Sequence, residues 1–239
     1  MKTIICELRR VLCGRWFYWA ALGTTVCLWL GMGSASWRMI RYGHFVSSFK
    51  ALIQTALTGQ SSVLSLPALA ALPAASVVLQ EIQCGAMRTC VFRVGRRRYR
   101  VGKLTTCVLG AMLSQILGTI LFVGLLYGLY TIHGADVQMS LTSVLPMLAT
   151  RLLASAAYAC FGAVIALCTN TSASAYVAPT AACFTLKLLG SRFFIGVPYV
   201  DPSDWLAGGA SALALMLILC VGMLGLFDAT LGREMAHHA

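Results

Sequence analysis

The stretch 104–132, LTTCVLGAMLSQILGTILFVGLLYGLYTI, decides the fold class. It contains no Lys, Arg, Asp or Glu. A helix rising 1.5 Å per residue needs about 20 such residues to cross a hydrocarbon core of about 30 Å. Backbone groups in lipid must be bonded internally, so the spanning element is a helix or a closed barrel. A barrel strand would alternate apolar and polar residues in segments of about ten, and this run does not. It therefore predicts a transmembrane helix.

The rest of the chain repeats the pattern. Further apolar runs cover about 16–33, 61–80, 143–168, 173–190 and 206–227, which gives six spans in one domain over 1–239. The composition agrees: 59% of the 239 residues are hydrophobic, 10% are charged and the mean hydropathy is +0.82. A soluble domain carries about 25% charged residues, so an ordinary cytosolic enzyme, a disordered chain and a coiled coil are excluded. The run 16–33 exceeds the usual length of a signal-peptide core, about 7–15 residues, so it reads as a retained first span. Pro67 and Pro73 lie inside the second span and predict a kink, since each removes a backbone donor.

Residues 1–15 place apolar side chains at 4, 5, 8, 11 and 12, with Lys2, Glu7, Arg9 and Arg10 opposite. That periodicity predicts an amphipathic helix lying in the interface with a cationic polar face. A second apolar stripe, 45–57, predicts another amphipathic segment near Lys50. The loop 133–142 has no Lys or Arg, and the tail DATLGREMAHHA reads as short and polar.

Charge sets the orientation. Lys plus Arg number 18 against 7 acids, a formal net charge of +11. With six spans, twelve basic residues fall on the side of the termini: Lys2, Arg9, Arg10, Arg15, seven between 88 and 103, and Arg233. Five fall on the other side: Arg38, Arg41, Lys50, Lys187 and Arg192. The excess places both termini in the cytoplasm. The basic residues read as topology signals and contacts to lipid phosphates rather than a nucleic-acid surface.

No catalytic or metal-binding set emerges. GRRRYRVGKL (95–104) is not a phosphate loop, because six residues separate Gly95 from Gly102 and Leu104 follows Lys103. The four histidines, 44, 133, 237 and 238, have no partners at ligand spacing, and His237-His238 reads as part of a disordered tail. The ten cysteines read as small buried apolar residues. Acids are absent from the span cores, which disfavours a proton-coupled carrier. Arg151 is the one charge well inside a span. A contact on a substrate path is one reading, and snorkelling to the outer interface or pairing with Asp136 is the preferred one. Gly110, Gly118, Gly124 and Gly128 in span three would permit close helix packing.

The segment 81–103, EIQCGAMRTCVFRVGRRRYRVGK, is the most patterned part of the chain. Glu81 ends the proline-containing span, Gly85 follows, then Arg88, Arg93, the basic run with Arg97, Tyr99 and finally Lys103. In this pattern the chain resembles the membrane subunit of bacterial ATP-binding-cassette exporters of the type-2 permease class. The resemblance implies six spans, an N-terminal interfacial helix and a coupling helix in the loop after span two. Glu81, Gly85, Arg88, Arg93, Arg97, Tyr99 and Lys103 would make the ATPase-coupling loop. Thr169, Asn170 and Thr171, in the turn between spans four and five, would make a second cytoplasmic contact. YVDPSDW (199–205) looks like a re-entrant element before span six. The resemblance further implies a separate ATPase subunit that holds ATP and Mg, a second permease chain in a homodimer or heterodimer, and a bacterial cytoplasmic membrane. This chain would then hold no cofactor and catalyse no reaction itself. A stand-alone channel or carrier, or a non-transporting membrane anchor, are the alternatives.

Overall fold

The computed structural model describes residues 2–34, 48–73, 75–132, 144–194, 197–206 and 209–238. Among them there is no strand. The helices are α1 (Lys2–Leu12), α2 (Arg15–Gly31), α3 (Phe49–Thr58), α4 (Gln60–Ala71), α5 (Ala75–Gln83), α6 (Ala86–Val94), α7 (Arg96–Ile132), α8 (Leu145–Thr169), α9 (Ser172–Arg192), α10 (Pro202–Leu206) and α11 (Ala210–His238). Among the described residues three helices are long and apolar enough to cross a membrane: α7, α8 and α11. His44, Arg38, Arg41, His133, Asp136 and the loop 133–142 lie outside the described residues.

The helix α8 is the centre of the bundle. It packs on α11, α7, α9, α4 and α5. Its sequence explains the position: Ala154, Ala156, Ala159, Cys160, Gly162 and Ala163 are all buried. Small side chains let neighbouring backbones approach closely, and dispersion contacts then accumulate over the whole length. At Gly162 a Cβ would lie 2.5 Å from the Ala175 carbonyl oxygen of α9. The predicted glycine face of α7 is used at one point. A Cβ on Gly118 would meet the Ala21 carbonyl oxygen and Thr24 of α2, both at 2.6 Å, whereas Gly124 and Gly128 face open space.

The second apolar run breaks as its prolines predict. Pro67 is carried inside α4, and the helix stops at Leu72–Pro73 before α5 resumes. The basic segment differs from a plain loop. It folds as α6 and the first turns of α7, so helix occupies almost all of 81–103. The tail is also helical, since α11 continues through the polar residues to His238. Its polar turns pack back on the protein, with buried Phe227, Leu231 and Met235 in one core with Tyr99 and Met87. The reading of 237–238 as a disordered tail is corrected by this continuation. Within the element 199–205 the short helix α10 starts at Pro202, and the Trp205 Nε1 donates back to the Tyr199 carbonyl at 2.7 Å.

The cysteine expectation holds for part of the set. Cys107, Cys160, Cys183 and Cys220 are buried, but Cys6, Cys13, Cys84 and Cys168 are exposed. Cys6 lies on the exposed side of α1, Cys13 in the α1–α2 turn, Cys84 in the α5–α6 turn and Cys168 in the last turn of α8.

Candidate functional site

Three elements converge at one end of the bundle. Glu81 sits in the last turns of α5 and is 3% exposed. Tyr99 and Lys103 lie four residues apart on α7, so both project from the same face. Glu7 and Arg10 lie three apart on α1. The Lys103 Nζ donates to Glu81 Oε1 at 2.7 Å and to Glu7 Oε2 at 2.5 Å. Arg10 Nη1 donates to the same Glu81 oxygen at 2.6 Å, and the Tyr99 hydroxyl donates to Glu81 Oε2 at 3.0 Å. The Lys103 ammonium also lies 5.5 Å from the Tyr99 ring centroid.

Two acids and two cations balance within this cluster. The two central groups, Glu81 and Lys103, are each about 3% exposed. Such a pair offsets its desolvation only if the remaining lone pairs and protons are bonded. Here both carboxylate oxygens of Glu81 are bonded, and Lys103 has two carboxylate acceptors. The space between the helices beside Lys103 is about 10 Å³, too small for a ligand. The cluster is a buried polar joint that ties α1, α5 and α7 together.

The joint closes the base of a helical hairpin. Glu81 precedes α6, and Tyr99 and Lys103 follow it. The turns at either end of α6 need glycine. Gly85 has φ +69° and Gly95 has φ +87°, conformations that cost an L-residue about 1–2 kcal/mol. On α6 itself Met87 turns into the core, while Arg88, Phe92 and Arg93 face outward. Phe92 is 89% exposed. A groove of about 350 Å³ runs beside it, lined by Met87, Arg88, Val91, Gly95, Arg96 and, from α11, Met235.

The structure brings together Glu81, Tyr99 and Lys103 of the predicted residues. Gly85 shapes the turn and Arg88 lines the groove, while Arg93 and Arg97 are exposed outside the joint. The second predicted contact lies beside the first. Gln83 Nε2 donates to the Asn170 carbonyl at 3.1 Å, Asn170 takes the left-handed conformation, and Thr169 and Thr171 share hydroxyl contacts across that turn. Glu7 and Arg10, on the polar face of α1, bond to Lys103 and Glu81, pairings that the periodicity of α1 does not disclose. The available signal was Glu7, an acid on an otherwise basic face.

Arg151 is elsewhere, and the snorkelling expectation is corrected. Its side chain is buried among α4, α7 and α8 at 1% exposure. Its Nη1 donates to Ser62 Oγ at 2.6 Å and its Nη2 to Gln115 Oε1 at 3.4 Å. No ion pair holds it among the described residues. Among those residues, too, no group of three or more metal-ligating side chains occurs. No protein-family model and no curated protein matches the chain.

Proposed function

We propose that this chain is the membrane-spanning permease subunit of an ATP-driven exporter of the type-2 class. The observation that carries the reading is the exposed helix α6, gripped at its base by Glu81, Tyr99 and Lys103. A partner that moves α6 moves a rigid hairpin, because the joint ties α1, α5 and α7 together. The displacement then enters the membrane along α7, one of the long apolar helices.

In this reading six crossings are made by α2, the broken pair α4–α5, α7, α8, α9 and α11. At 17 residues, α2 is about 26 Å long, close to the hydrocarbon thickness. Both termini and α6 face the cytoplasm of a bacterial cell. The motor is a separate ATPase subunit that binds ATP and Mg, and a second permease chain completes the path. Moving a two-state path from about 1:99 to 99:1 needs roughly 5.5 kcal/mol of differential binding. Surface charges contribute at most about 1 kcal/mol each. Burying a side chain such as Phe92 contributes about 1.5–3 kcal/mol, so the apolar groove is needed as well.

The first turn of α7 supports a lipid-facing role for the remaining cations. Arg96, Arg97 and Arg98 stand at the positive end of the helix dipole, where cations are unfavourable by about 0.3–1 kcal/mol each. Contact with phosphate headgroups offsets that. The test is affinity purification of the full chain from native membranes. A nucleotide-hydrolysing subunit with a phosphate loop should accompany the wild type and be lost with Phe92→Glu. Recovery of the wild-type chain without any ATPase would defeat the reading.

A further inference from the structure

Arg151 presents a charge problem that its neighbours do not solve. A guanidinium stays protonated at any biological pH. This one is 1% exposed in the packed middle of the bundle. Its two bonded partners, Ser62 of α4 and Gln115 of α7, are neutral acceptors, which satisfy protons without balancing charge. Two donors are left over. The Arg151 Nε and the Gln115 Nε2 are buried and have no acceptor among the described residues. They belong to different helices yet meet through the same contact, since the Gln115 oxygen faces the guanidinium. Serines 155 and 114, both buried, lie one turn along α8 and next to Gln115.

A positive charge with spare N–H donors on two helices matches one ligand chemistry. The planar guanidinium fork bonds carboxylates and phosphates through two parallel N–H donors. An amide N–H beside it supplies a third. One helical turn further along α8, Ala154 borders an apolar pocket of about 190 Å³ formed with Tyr158, Cys183, Trp205 and Met216. That pocket suits the hydrocarbon part of an amphiphile.

We infer that Arg151, Gln115 and Ser62 form an intramembrane binding site for an oxyanion, a carboxylate or phosphate group. The group is carried by a lipid-like amphiphile or by a free anion. The inference is independent of the ATPase partner and stands or falls separately from it.

The test uses the purified full chain in phosphatidylcholine nanodiscs. Its thermal midpoint is followed with added inorganic phosphate, at ionic strength held constant with sodium chloride, and in parallel in nanodiscs containing phosphatidylglycerol. At about a hundredfold excess over Kd, the midpoint should rise by about 5–10 °C. A rise with inorganic phosphate identifies a free anion as sufficient. A rise with phosphatidylglycerol alone identifies the amphiphile. Arg151→Met should abolish either rise. Gln115→Glu supplies a carboxylate at the position of the present amide oxygen. It should raise the midpoint without ligand and remove the response, so the test survives if Arg151→Met does not fold. No rise in the wild type with either probe, or an equal rise in both variants, overturns the inference.

Discussion

Replacing Lys103 by Met removes the cation shared by Glu7 and Glu81. Removing one partner of a buried ion pair costs about 3–5 kcal/mol, because the remaining charge is stranded. Two features put the cost at the lower end. Arg10 still reaches the same Glu81 oxygen at 2.6 Å, and Glu7 is 25% exposed and can turn to water. The expected loss is therefore about 3 kcal/mol. In a chain of this size that lowers the thermal midpoint by about 6–12 °C. Glu81→Gln leaves Lys103 with Glu7 alone and should lose a similar amount. The double variant E81Q/K103M strands neither of the two central charges and leaves only Glu7 and Arg10, both partly exposed, to turn to water. Contacting residues couple by about 0.5–3 kcal/mol, so its loss should fall short of the sum of the single losses by about 1–12 °C. The assay is thermal unfolding of the three purified variants in one detergent. If the proposed function holds, the double variant should not couple to an ATPase subunit even though its loss is less than additive. Single losses that add fully would refute the joint as a cooperative unit.

Further outcomes follow from the same geometry. Gly118→Ala forces a Cβ against the Ala21 carbonyl and Thr24, so α2 and α7 must separate. Overpacking of this kind costs about 1–3 kcal/mol, and a midpoint unchanged within error would contradict the close approach. Cys84 and Cys168 are exposed at the end of the bundle assigned to the cytoplasm. A membrane-impermeant maleimide should leave both unlabelled in intact cells and label both in inverted vesicles. Labelling from outside the cell would reverse the orientation.

The three long apolar helices were legible because helix formation in lipid is local: an uncharged run such as 104–132 has one structure open to it. The break at Pro73 was legible for the same reason. The pairings of the joint were not. Arg10 and Glu81 are 71 residues apart in sequence, and Lys103 and Glu7 are 96 apart. Periodicity places Glu7 on the polar face of α1 without saying whether water, lipid or another helix meets that face. Arg151 shows the same limit. Its depth in a span was visible, but Ser62 and Gln115 come from other helices and became partners only through packing. Residue type pointed to burial for all ten cysteines, while Cys13, Cys84 and Cys168 lie in turns or at a helix end and Cys6 on the open side of α1.

The central claim is that α6 carries the force of a separate ATPase into the membrane. A photo-crosslinking amino acid in place of Phe92, activated in native membranes, tests it most directly. The account predicts a covalent adduct with a phosphate-loop ATPase, its yield changing between ATP and ADP. Adducts to lipid alone, with ATP-independent solute flux through the purified chain, would contradict it.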